Sequence, residues 1–153
     1  MRFQGSLAVA LLFGLAALPV RAAGIDDKTF DLATIQALED RANQAQPREQ
    51  CFLYAELVHQ MTEVSVRQYA AGDVEKATSL LKRIQALTHK IHLSLANNDK
   101  RVKDTEILLN HTAFRLNGML HAGSFEDRPL VQETLADVSQ AESEAMLQVF
   151  HNK

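Results

Sequence analysis

The stretch 73-DVEKATSLLKRIQALTHKIHLSLA-96 decides the fold class. Val74, Ala77, Leu81, Ile84, Thr88, Ile91 and Leu95 recur at steps of three and four, which aligns them on one side of an α-helix. Leu80 and Leu87 widen the stripe to the breadth that a buried helix needs. Asp73 stands where an N-cap is wanted, and Gly72 before it suits a left-handed cap closing the helix upstream.

Outward from that helix the pattern repeats. Upstream, Arg48 to Ala71 predicts a helix whose apolar residues, among them Cys51, Leu53, Leu57, Val58, Met61 and Val64, cover more than half its circumference. Such a helix touches neighbours on both sides, so it is expected to be central. Glu49, Glu56, His59, Glu63 and Arg67 share the remaining face, which is expected to lie in solvent. A shorter helix from Leu32 to Gln44, started by a cap within Thr29 to Asp31, carries Leu32, Ile35, Leu38, Ala42 and Ala45 and stops before Pro47. Downstream, Asn97, Asn98 and Asp99 read as a break, with Asp99 capping a fourth helix to His121; one continuous helix through the break is the alternative. The fourth helix shows Val102, Leu109, Ala113, Leu116 and Leu120, flanked by Leu108 and Met119. Gly123 to Asp127 is a loop, and Pro129 sits in the first turn of a fifth helix with Val131, Leu135, Val138, Ala141, Ala145, Met146 and Val149. With no Trp, six Gly and three Pro, turn-dense strand architectures have almost no support. The expected fold is all-α: an up-and-down four-helix bundle with an additional short N-terminal helix, in a single domain spanning residues 31–153.

The first 22 residues bear on location. Arg2 followed by the apolar run Ser6 to Val20, with Val20 and Ala22 as small residues at −3 and −1, reads as a signal peptide cleaved before Ala23. Residues 23–30 are expected to be a loose arm. Cleavage removes Arg2 and Arg21 and leaves 14 bases against 19 acids, a net charge of about −5. That balance argues against nucleic acid and anionic lipid as partners. The expected location is periplasmic or extracellular, without a stable membrane anchor after cleavage. A lone Cys51 forms no internal disulfide and is expected to be a small buried side chain.

Residues 72–81, GDVEKATSLL, resemble the turn and second helix of a tetratricopeptide unit, with Ala77 where that family packs an Ala between helices. The resemblance covers about half of one repeat and implies a short protein-binding domain. Met61, Ser65 and Gln68 stand where the family has Trp, Gly and Tyr, and no second copy follows at its spacing of about 34 residues.

No catalytic constellation assembles from the sequence: Gly-x-Ser-x-Gly, His-Glu-x-x-His and a phosphate-cradling Gly loop are all missing. Glu56-x-x-His59 has the spacing of a di-iron bundle ligand pair, but it occurs once and on a polar face. His89 and His92, three apart, are the candidate metal ligands, with no third ligand specified. Covalent haem needs two cysteines; a Met/His pair such as Met61 with His121 stays open, though no cofactor is expected. Glu106, beside the stripe of the fourth helix, is expected at its edge or paired with Arg83 or His92. Asn110-His111-Thr112 fits a glycosylation triplet but falls inside a helix. Ile107 and Phe114, seven residues apart on the otherwise polar side of the fourth helix, are candidates for partner contact unless the first helix covers them. The leading expectation is therefore an exported non-catalytic interaction or scaffold module that binds another protein or itself. A His-ligated metal or haem carrier is the alternative.

Overall fold

The computed structural model describes residues 31–97, 100–124 and 126–151. The signal peptide, its cleavage site and the arm at 23–30 lie outside the described residues, as do Asn98 and Asp99. The chain is all-helical there, with five helices packed together: α1 Leu32–Gln44, α2 Pro47–Ala70, α3 Val74–Leu95, α4 Val102–Ala122 and α5 Arg128–His151. Helices α3 and α4 are separate, which rules out the single continuous helix.

The ends of these helices follow local chemistry. At α1 the Asp31 carboxylate accepts the Thr34 backbone N–H at 2.7 Å and the Thr34 hydroxyl at 2.7 Å, satisfying an otherwise orphaned amide. The Thr34 hydroxyl and then its backbone N–H hold that carboxyl below its usual range. Helix α2 closes on Gly72 at φ 85°: Asp73 N–H donates to Gln68 C=O at 2.8 Å and Gly72 N–H to Tyr69 C=O at 3.1 Å. That pair of bonds is the Schellman arrangement, and the positive φ is why glycine stands there. Asp73 occupies the N-cap position of α3, but its side chain makes no capping bond and instead accepts from Lys76 Nζ at 3.2 Å. The cap position of α4 belongs to Arg101, at φ 57°, and not to Asp99.

Helix α2 packs against α1, α3 and α4, while α5 packs against α3 and α4. Side-chain contacts give the directions. His59–Thr112 and Glu63–Arg115 join α2 to α4 at separations of 53 and 52 positions, so these two helices run parallel. Since α2–α3 and α4–α5 are each antiparallel hairpins joined by a short connection, α3 and α5 are parallel too, linked by His92 Nδ1 and Glu144 Oε2 at 2.6 Å. The α2–α3 and α4–α5 hairpins therefore stack side by side in one direction, with α3 beside α5. Sequence-adjacent α3 and α4 are not flanking neighbours among the described residues.

Every apolar residue of the α3 stripe after Val74 is buried, together with Leu80 and Leu87. In α2, Cys51, Ala55, Leu57, Val58 and Met61 are wholly buried. Several buried positions are threonines: Thr62, Thr88, Thr112 and Thr134 each donate to the carbonyl four residues back at 2.8–2.9 Å, and so enter the core with the hydroxyl satisfied. In α4 the buried line is Val102, Thr105, Leu109, Thr112, Leu116 and Met119, while Ala113 and Leu120 are only half-buried. Met146, placed in the α5 stripe by its spacing, is exposed, and Thr134 takes an inner position instead.

The loop between α4 and α5 is anchored on α2. Ser124 N–H donates to Tyr69 Oη at 2.6 Å, and Tyr69 Oη donates to Asp127 Oδ2 at 3.1 Å. A side chain at Gly123 would place its Cβ 3.1 Å from Met119 O and 3.2 Å from Tyr69 Oη, a tight approach that glycine avoids.

Candidate functional site

The outer side of the α4–α5 hairpin carries the best candidate site. Asn110 Nδ2 donates to Glu142 Oε1 at 2.9 Å and ties the outer faces of the two antiparallel helices together. One helical turn to either side of Asn110 lie Ile107 and Phe114, and one turn beyond Glu142 lies Met146. Phe114 is 74% exposed, Ile107 41% and Met146 40%. Leu147 and Phe150, on the last two turns of α5, are 59% and 63% exposed. Helix α1 does not cover this face. It lies on α2, where it buries Ile35, Leu38 and Ala42, and reaches α3 through Arg83 Nη2 and Glu39 Oε2 at 2.6 Å.

The sequence signalled two of these five apolar residues. Ile107 and Phe114 stood out because apolar residues interrupt a polar face. Met146, Leu147 and Phe150 did not, because they continue the apolar run of α5 and look like core by type.

The other candidates fall elsewhere. His59 and Glu63, expected in solvent, are half-buried against α4. Arg115 grips Glu63 with two bonds, Nε to Oε1 at 2.7 Å and Nη2 to Oε2 at 3.0 Å, and this contact turns the polar face of α2 into an interface. His59 Nδ1 lies 3.3 Å from Thr112 Oγ1; since that hydroxyl already donates to Leu108 O, its oxygen accepts from the ring. Burial depresses the His59 pKa below its ordinary value, Glu63 opposes the shift, and His111 and Arg115 add to it.

His89 and His92 line a polar cleft of about 400 Å³ between α3 and α5. They do not converge: His89 is exposed, and His92 Nδ1 contacts Glu144 Oε2 at 2.6 Å. Burial acts to raise the Glu144 carboxyl, but hydrogen bonds with His92 and Gln140 outweigh it and leave the pKa below the usual value. Among the described residues no group of three or more His, Cys, Asp or Glu side chains is arranged to hold a metal ion. Met61 is wholly buried, whereas His121 is exposed at the end of α4, its ring 2.7 Å from Asn117 O, so the two do not form a ligand pair. Glu106 is half-buried, but the partners considered for it are engaged elsewhere, Arg83 by Glu39 and His92 by Glu144. The triplet at Asn110 lies within α4, with Thr112 buried. No helix among the described residues is long and apolar enough to cross a membrane.

The α4–α5 strip offers contact area, not chemistry: aromatic and aliphatic side chains rimmed by an amide and a carboxylate. Compared with models of protein families, with curated proteins and with solved structures, the chain matches none.

Proposed function

We propose that this chain is an exported, non-catalytic helical module that binds another protein or itself through the outer face of α4–α5. In this reading α2–α5 form a four-helix bundle, α1 is an additional short N-terminal helix, and residues 1–22 are a cleaved signal peptide. The observation that carries it is the exposure of Phe114 (74%) and its apolar neighbours on a face that no other helix of the described chain covers. Aromatic side chains of this kind anchor interfaces because they desolvate a large area at little entropic cost.

Two measurements test the proposal. Intact mass of the exported protein should place the N-terminus at Ala23; a retained leader would make it a membrane-tethered protein. Sedimentation velocity and affinity co-purification from the native envelope should show a complex with wild type that Phe114→Gln loses. If wild type and variant are both monomeric and retain the same proteins, the strip is not the binding face.

The same-direction stacking of the hairpins supports a second reading, a short tetratricopeptide-like binding domain. In stacked helical units each hairpin leans only on its neighbour. Native-state hydrogen exchange would then show α4–α5 opening before α2–α3, where a single bundle opens as one unit.

A further inference from the structure

At one end of the molecule the last turn of α1, the first turns of α2 and the residues leading into α4 meet around a small pocket of about 110 Å³. Four cations line it: Arg41 from α1, Arg48 from α2, and Lys100 and Arg101 from the approach to α4. Glu49 is the one acid among the described lining residues, and Phe52 and Leu53 give the pocket an apolar wall. A chain with net charge −3 thus gathers a quarter of its 16 Lys and Arg residues at a single pocket.

The chain holds one of these cations in a fixed pose. The guanidinium carbon of Arg101 sits over the Phe52 ring, 3.4 Å from its centre. Its Nε donates to Asp104 Oδ2 at 2.9 Å. Stacking uses the face of a guanidinium and keeps its edge for in-plane hydrogen bonds, the geometry that suits a carboxylate or a phosphate. Arg101 also adopts φ 57°, a conformation that costs a non-glycine residue free energy.

We infer that this pocket binds a small anion: a phosphate or carboxylate group carried on an apolar body, with the anionic end held by Arg41, Arg48, Lys100 and Arg101 and the apolar body against Phe52 and Leu53. An anion bound only by the folded state stabilises that state by mass action. The small volume admits one anionic group and the beginning of its attached body. The inference does not depend on the proposed interaction face, which lies on the outer side of α4–α5.

Titration of the full chain with phenyl phosphate at low ionic strength tests it, read by calorimetry and by the melting temperature, with inorganic phosphate and benzyl alcohol as the two halves of the probe. Phenyl phosphate should bind saturably and raise the melting temperature; inorganic phosphate should bind more weakly, and benzyl alcohol not at all. Arg41→Gln with Arg48→Gln should weaken phenyl phosphate by about tenfold or more with an unchanged circular dichroism spectrum. Arg41→Gln alone, an exposed position on α1, should show part of that loss. Lys82→Gln, an exposed cation elsewhere on α3, should bind as wild type. Vesicles of phosphatidylglycerol separate the sources: retention that the double variant loses assigns the anion to a lipid headgroup, and failure to bind vesicles assigns it to a soluble molecule. Absence of saturable phenyl phosphate binding, or an equal loss in Lys82→Gln, overturns the inference.

Discussion

Helix α2 is covered by α1, α3 and α4, whereas the outer side of the α4–α5 hairpin leaves Phe114 three-quarters exposed. The two hairpins are otherwise alike: each turns through a short connection, and they stack in the same direction. The difference lies in what finishes them. Ile35, Leu38 and Ala42 of α1 close one side of α2, and Glu39 fastens that cover to Arg83 of α3. On α4–α5 the apolar residues Ile107, Phe114, Met146 and Leu147 have no such helix over them among the described residues. A helix of 13 residues thus buries three of its own apolar side chains against α2.

The strongest way to break this comparison is Met61→Asp. Met61 is wholly buried in the most enclosed helix, and an unpaired carboxylate there should cost several kcal/mol, of order 3–5, against a total stability of about 5–15. Urea denaturation should show a largely unfolded variant. A well-folded protein with a modest loss would mean that α2 is not enclosed.

The covering role of α1 makes a sharper contrast. Ile35→Ala removes a side chain only 1% exposed and should cost about 2–4 kcal/mol. Phe114→Ala removes a larger side chain and should cost less than about 0.5 kcal/mol in the isolated protein. The order of effects is the reverse of side-chain size because burial sets the cost. Equal losses in thermal melts would show that the Phe114 face is already covered.

The sequence made the helices and their order legible because a 3.6-residue period survives in α3 almost without interruption. It was less clear wherever side-chain type and burial part company. Thr105 and Thr112 sit on the buried line of α4 but read as polar, and the i−4 carbonyl bond that brings Thr112 inside carries no sequence signal. Glu63 reads as a solvent group because its partner Arg115 is 52 positions away. The stacking of α3 beside α5 is equally hidden, since short loops suggest sequence-adjacent neighbours. Of the site, Ile107 and Phe114 were visible as breaks in a polar face; the cationic pocket was not, because its four bases come from three separate stretches of chain.

The Glu63–Arg115 pair tests whether the two hairpins are joined by more than apolar burial. A bidentate, half-buried pair should contribute about 1 kcal/mol, well above an ordinary surface ion pair. Glu63→Ala and Arg115→Ala should each destabilise, and the double variant by less than their sum, which a double-mutant cycle in urea measures. Strict additivity would separate the two side chains in solution and weaken the assignment of α4 as the neighbour of α2.

The smallest expected effect, and the most specific to that same junction, is a pH dependence at His59. Burial against α4 is the largest cause that lowers its pKa from 6.5, with Glu63 working in the opposite direction. A histidine with a depressed folded pKa stays neutral in the native protein while the unfolded chain takes up a proton. Its contribution is therefore complete above the unfolded value of 6.5 and is lost as pH falls from there toward the folded pKa. His59→Gln, which keeps a donor for Thr112 and removes the titration, should flatten stability against pH between about 7 and 5. Glu63→Ala should do the reverse, since it deletes the charge that favours the imidazolium and so steepens the acid loss. Work above pH 5 keeps clear of Asp31 and Glu144, whose folded carboxyls titrate below their ordinary values of 3.8 and 4.5, so that their stabilisation is complete above those values and is lost as the pH falls from there through the lowered ones. Unfolding free energies at half-unit steps of pH decide the matter: parallel curves for wild type and His59→Gln would put the ring in solvent and remove it from the α2–α4 contact that joins the two hairpins.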